Sequence, residues 1–134
     1  MLDRPAQFVI DTHALWWYLN SSNRLSPAAA AAFMLAASGN ATLIVPAIVV
    51  AEYHFLSVKV REPVTPSDLL LALAAVRGVE FSALGQEQLE FLDRLPEIPE
   101  MHDRLIAADA VIRGVPLVTR DAALIASPQV DTIW

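Results

Sequence analysis

The sequence contains no cysteine. A disulfide scaffold, a thiolate zinc site and an iron–sulfur site are therefore excluded. Basic residues are scarce. Lysine is represented by Lys59 alone, nine basic residues face fifteen acids, and the formal net charge is −6. At long range such a field repels RNA and DNA, so a nucleic-acid function would need positive charge supplied locally or by a metal. Charged residues make up 18% of the 134 and apolar ones 55%, which excludes a disordered tail or a charged coiled coil. Long apolar runs are also missing. The stretch from Ala41 to Ala51 stops at Glu52, short of the ~18–20 residues that span a bilayer. Asp3, Arg4 and Pro5 provide no basic segment ahead of an apolar one. We expect a soluble, cytoplasmic protein with no membrane segment, forming one domain over residues 1–134.

What is present is an alternation of short strands and helices. Phe8-Val9-Ile10 reads as a buried strand ending at Asp11, and Thr12 to Leu19 as a helix. Ser26-Pro27 has the N-cap and first-turn pairing of a helix start, and this helix runs to about Ser38 before Gly39-Asn40. Thr42 to Val45 predicts a second strand, and Pro46 a helix through Val58. Thr65-Pro66-Ser67-Asp68 opens a helix carrying Leu69 to Val76, which ends near Gly78. Val79-Glu80-Phe81 suggests a short strand and Gln86 to Leu95 a helix, with Pro96 to Pro99 a loop. His102 to Arg113 predicts a helix closed by Gly114 and followed by Pro116. Leu117-Val118-Thr119 predicts a strand, Asp121 to Ala126 a short helix, and Thr132 to Trp134 a last strand. This order predicts an α/β fold around a central, mostly parallel sheet.

In open α/β sheets, chemistry gathers at the carboxyl ends of the strands. Asp11 and Asp121 follow predicted strands, Glu52 sits in an apolar helix, and Asp103 opens the helix after the Pro-rich loop. Taken singly, Asp11, Asp103 and Asp121 have a plainer role as helix caps, worth roughly 0.5–2 kcal/mol each. Glu52 fits that account less well, because an unpaired carboxylate among Ile48, Val49, Val50 and Tyr53 is costly to bury. If the acids converge, like charges raise one another's pKa and call for a counter-charge. Mg²⁺ or Mn²⁺ prefers such oxygen ligands. A bound divalent cation activates water and stabilises charge on a phosphoryl oxygen, so metal-assisted phosphodiester hydrolysis suits the cluster.

The same residues carry a family resemblance. Val9-Ile10-Asp11-Thr12-His13-Ala14-Leu15-Trp16-Trp17 resembles the opening of PIN-domain ribonucleases, in particular the VapC toxins of bacterial toxin–antitoxin pairs. Pro46-Ala47-Ile48-Val49-Val50-Ala51-Glu52 is similar to their second block, His102-Asp103-Arg104-Leu105-Ile106-Ala107-Ala108 to their third, and Leu117-Val118-Thr119-Arg120-Asp121 to their fourth. The resemblance implies a three-layer α/β/α fold and an Mg²⁺- or Mn²⁺-dependent endoribonuclease. It implies an acidic quartet of Asp11, Glu52, Asp103 and Asp121, with Thr12 and Thr119 supporting by hydrogen bonds. Asp11 and Asp103 would be direct ligands, and Glu52 and Asp121 would bind directly or through water. It further implies a tRNA or rRNA substrate, a homodimer, and a small antitoxin partner. The chain departs from many relatives just before the third acid, where Glu100, Met101 and His102 replace Asp-Pro-Phe.

Other residues have competing readings. Asp109 lies six residues beyond Asp103, ~240° around a helix and so on another face. It suits an exposed i,i+4 bridge to Arg113 worth roughly 0.3–0.5 kcal/mol. The spacing of His13, His54 and His102 fits no zinc pattern. His13 and His102 lie near site acids and are candidates for RNA contact or site support, whereas His54 reads as a helix-surface residue. Trp16, Trp17 and Tyr18 suit packing, with base stacking as the alternative. Arg104 and Arg120 suit phosphates or internal salt bridges. Lys59 and Arg61 read as solvated. Phe33-Met34-Leu35 and the Leu69 to Val76 helix suit either the core or a groove for a partner helix. A haloacid-dehalogenase-type site would need an acid where His13 stands. A receiver domain would need a strand-end lysine, which Lys59 is not. The rival from another class is a non-catalytic interaction module in which the acids only cap helices.

Overall fold

The computed structural model describes residues 5–134, so Asp3 and Arg4 lie outside the described residues. Five strands form one sheet in the order β3-β2-β1-β4-β5, and every pairing is parallel. The strands are β1 (Ala6–Ile10), β2 (Ala41–Pro46), β3 (Val79–Ser82), β4 (Leu117–Val118) and β5 (Thr132–Ile133). Helices α1 (Thr12–Leu19) and α2 (Pro27–Ala37) connect β1 to β2, and α3 (Ala47–Lys59) with α4 (Pro66–Ala74) connects β2 to β3. Helices α5 (Gln86–Glu90) and α6 (Met101–Arg113) lead to β4, and α7 (Ala122–Ala126) leads to β5. Leu43, Ile44 and Val45 are consecutive and all buried, so both faces of β2 are covered by helices. A parallel sheet needs this double cover, which is why its strands read as unbroken apolar runs.

The chain moves outward from β1 to β2 and β3, then returns to the other side of β1 as β4 and β5. The strand order therefore reverses between β1 and β4, and a crevice opens there at the strand carboxyl ends. Asp11 follows β1 directly, and its amide donates to the Val118 carbonyl of β4 at 3.2 Å. Thr119 and Asp121 follow β4. The sheet thus brings the first and fourth acidic segments side by side, although 110 positions separate Asp11 from Asp121.

Local chemistry explains the boundaries. Ser26 and Thr65 cap α2 and α4 through their hydroxyls, each with proline in the first turn. Pro46 closes β2 and stands at the N-cap of α3, one residue before the helix it was expected to open. The helix expected over Gln86 to Leu95 stops at Glu90. Arg104 explains this, because its guanidinium donates to the carbonyls of Leu92, Pro96 and Ile98 and holds the following segment in turns. Among the described residues, Arg104 makes no ion pair and spends its guanidinium on backbone carbonyls instead.

Asp109 corrects another expectation. Its bridge to Arg113 exists at 3.8 Å, but Asp109 is only 2% exposed. Its Oδ1 also accepts from Ser82 Oγ and Gln88 Nε2, each at 3.0 Å, tying α6 to the end of β3 and to α5. Among the described residues, no buried side-chain polar atom lacks a partner, as a well-formed interior requires.

Candidate functional site

Asp11, Glu52, Asp103 and Asp121 all line one cleft of about 310 Å³, together with Thr12, His13 and Lys59. Each acid arrives by a different route. Asp11 sits between β1 and α1, buried, with its carboxylate accepting from the Ala14 amide at 2.9 Å. Asp121 caps α7 by accepting from the Ala123 and Leu124 amides. Asp103 lies in the first turn of α6, whose actual cap is Glu100. Glu52 projects from the middle of α3 and accepts from the Thr12 hydroxyl at 2.7 Å. Asp11 and Asp121 therefore do cap helices, Asp103 lies at the positive end of α6 without capping it, and Glu52 does neither.

The electrostatics register the crowding. Burial, followed by the charges of Asp121, Glu100, Glu52 and Asp11, pushes the Asp103 carboxyl up from 3.8 to about 7. Burial also raises Asp11, against hydrogen bonds from Thr119 and Ala14 that pull it down. The supporting threonines are placed accordingly. Thr12 fixes one oxygen of Glu52, and Thr119 Oγ1 accepts from the Asp121 amide at 3.0 Å while supporting Asp11. Oxygen donors of this kind, negative and short of counter-charge, fit a hard divalent cation.

Two neighbours of the quartet stand out in three dimensions. His102 Nδ1 lies 3.1 Å from Glu100 Oε1 and 3.5 Å from Glu52 Oε2, the Glu52 oxygen that Thr12 leaves free. Glu52, Glu100 and His102 offer ligand atoms within 4.8 Å of one another. Glu100 had read only as a departure from a motif, and its role at the cap was visible in its place three residues before Asp103. Lys59, expected to be merely solvated, is exposed but lines the cleft. His54 is half-buried, with Nδ1 2.8 Å from the Val64 carbonyl, and takes no part in the site.

Comparison with known proteins adds the lineage. The profile of the PIN domain family matches residues 8–127. The chain belongs to the PIN domain family. All four acids lie inside the matched span, and the parallel sheet is the architecture of this domain. Comparison with curated protein sequences finds no match. Among solved structures, this PIN domain is similar to a chain of VapBC2 from Rickettsia felis bound to a promoter DNA fragment. The TM-score is 0.68 at 19% identity, covering 94% of this chain and 96% of that one. A toxin–antitoxin complex from Klebsiella pneumoniae gives 0.65 at 20% identity, covering 91% and 93%. DNA-bound VapBC from Salmonella typhimurium gives 0.67 at 17% identity, covering 95% and 96%. At these identities the likeness is one of fold.

Proposed function

We propose that this PIN domain is a divalent-metal-dependent endoribonuclease, using Mg²⁺ or Mn²⁺, and the toxin of a toxin–antitoxin pair. The observation that carries the reading is the meeting of Asp11, Glu52, Asp103 and Asp121 in one cleft at the strand-order reversal. Asp11 and Asp103 would hold the cation directly, and Glu52 and Asp121 directly or through water. A divalent cation supplies an activated water and offsets charge on the phosphoryl oxygen. The chain's own part is positioning. Thr12 fixes one oxygen of Glu52, His102 Nδ1 lies 3.5 Å from the other, and Thr119 supports Asp11 and the Asp121 segment. Glu52 and Asp121 then orient the attacking water toward phosphorus. Burial and the neighbouring acids push the Asp103 carboxyl up to about 7 in the free protein, and a bound cation would offset that crowding of negative charge.

The test is incubation with total cellular RNA in Mg²⁺, Mn²⁺ or EDTA, with cleavage ends mapped and the Asp11→Asn protein as control. Metal-dependent cuts at defined positions in tRNA or rRNA, lost by orders of magnitude in the folded variant, are expected. Cutting that ignores EDTA or survives in Asp11→Asn overturns the reading. The caps made by Asp11 and Asp121 favour a second reading, a non-catalytic interaction module. On that reading, Asp11→Asn loses a fraction of the ~0.5–2 kcal/mol of a cap and there is no activity to lose.

The partner readings rest on surface chemistry. Phe33, Leu69 and Leu73 enter the core, whereas Met34 and Leu71 are 70% and 72% exposed. These apolar faces on α2 and α4 suit a small antitoxin segment or a second copy of the chain, in the cytoplasm. The similar structure from Klebsiella pneumoniae is a toxin–antitoxin complex. No described helix is long and apolar enough to cross a membrane. An isolated chain that stays monomeric at high concentration and binds no hydrophobic dye would overturn both partner readings.

A further inference from the structure

Beside the acid cleft lies a second hollow of about 430 Å³, within the ~300–1,000 Å³ range of ligand sites. It shares Asp11, His13, Leu56 and Asp121 with the acid cleft and is completed by Trp16, Trp17, Arg24 and Arg120. Its lining differs from the rest of this acidic protein. Elsewhere Arg104 donates to three carbonyls, Arg113 meets Glu80, Asp109 and Ser82, and Arg94 lies over the Phe91 ring, while Arg61 and Arg77 border neither hollow. Arg24, Lys59 and Arg120 instead border the two hollows. Among the described residues, none of the three is in an ion pair, although acids lie close by.

The aromatic residues of α1 divide in the same way. Trp16 packs on Tyr53 with ring centres 4.8 Å apart, and Tyr18 stacks on Phe33 at 4.0 Å. Trp16 and Trp17 both line the hollow, but only Trp17 meets Arg120 there. Its ring lies 5.5 Å from both His13 and Trp134, and the Arg120 guanidinium sits 5.8 Å from its centre. A planar cation layered on an indole is a platform for a nucleobase, since bases stack on both kinds of surface. Bases in an A-form duplex are stacked against one another and cannot reach such a platform, whereas an unpaired base can.

We propose that Trp17 and Arg120 seat the base of one unpaired RNA nucleotide beside the acids, with Arg24 and Lys59 holding the flanking phosphates. The placement of this seat next to a scissile phosphate rests on the nuclease reading. Binding itself does not, and the two separate experimentally.

Binding is read by fluorescence anisotropy in Mg²⁺ on an Asp103→Asn background, to suppress turnover. The probes are a labelled single-stranded RNA of mixed sequence and the same strand annealed to its complement. The single strand is expected to bind about ten-fold tighter or better. Trp17→Ala should weaken single-strand binding roughly 5- to 150-fold and leave duplex binding unchanged, with Trp17→Phe restoring most of it. Arg120 is exposed, so Arg120→Ala keeps the fold and tests the seat if Trp17→Ala fails to fold. Unchanged single-strand affinity in Arg120→Ala overturns the seat, as does an equal loss on both probes or a duplex bound as well as the single strand. Cleavage by the unsubstituted protein is scored separately. Metal-dependent cutting with kcat/KM indifferent to Arg120→Ala removes the seat and leaves the nuclease. Selective single-strand binding without cutting in any metal removes the nuclease and leaves the seat.

Discussion

Replacing Asp103 with Asn removes one negative charge from the most crowded point of the cleft while keeping its shape. The rise of its carboxyl from 3.8 to about 7 corresponds to roughly 4 kcal/mol of strain on the ionised form at ~1.4 kcal/mol per pH unit. Screening by water in an open cleft reduces this to about 1–2 kcal/mol. An opposing contribution comes from the first turn of α6, where a carboxylate gains roughly 0.3–1 kcal/mol from the helix dipole. The repulsion is the larger. Because the folded state holds this proton more tightly than the unfolded chain, Asp103 costs stability as pH rises from about 4 to about 7. Metal-free Asp103→Asn protein should therefore melt higher than the parent at pH 8, by about 2–6 °C for a chain of this size. At pH 5, where the unfolded chain is ionised but only about a third of the range from 3.8 to 7 has been crossed, the gap should shrink to roughly a third. Saturating Mn²⁺ reverses the order at pH 8. The parent gains about 2.7 kcal/mol at a concentration 100 times Kd, and the variant forfeits most of it. Thermal melts in EDTA and in Mn²⁺ at both pH values provide the assay. An equal shift at pH 5 and pH 8 in EDTA, or destabilisation at pH 8, would refute the electrostatic reasoning.

Thr12→Val removes the hydroxyl that holds Glu52. Isothermal titration with Mn²⁺ should show a roughly 10- to 100-fold weaker affinity with little change in melting temperature. Asp109→Ala strands Arg113, Ser82 and Gln88. It should lose about 3 kcal/mol in urea unfolding while the folded fraction keeps full metal affinity; a selective loss of affinity would place Asp109 in the site. Gly78 has φ of +79°, and a Cβ there would lie 2.8 Å from the Ala36 carbonyl oxygen. Gly78→Ala should therefore destabilise by about 1–3 kcal/mol, and a neutral result would contradict the backbone described here.

Strand and helix order, the caps at Ser26 and Thr65, and the α/β class were legible because they depend on near neighbours in the chain. Where the reading slipped, the deciding partner was distant. The Gln86 helix ends early because Arg104, more than a turn into the chain beyond it, takes the Leu92 and Pro96 carbonyls. Asp109 looked like half of a surface pair because Arg113 is local, whereas Ser82 and Gln88, which bury it, are not. Lys59 and Arg24 carried no local signal at all, since bordering a cleft is a property of where α3 and the loop after α1 come to rest.

The sequence by itself determined the supply of chemistry: no thiols, one lysine, and acids placed just beyond strands or within apolar helix. It also determined the local structure that carries them, because periodicity, caps and breakers act over a few residues. Tertiary structure alone decided which acids share a cleft, which arginine is consumed by carbonyls, and which two of the three tryptophans border the hollow. Those outcomes follow from the parallel sheet reversing its strand order beside β1. That reversal sets the carboxyl ends of β1 and β4 side by side, whatever their separation along the chain.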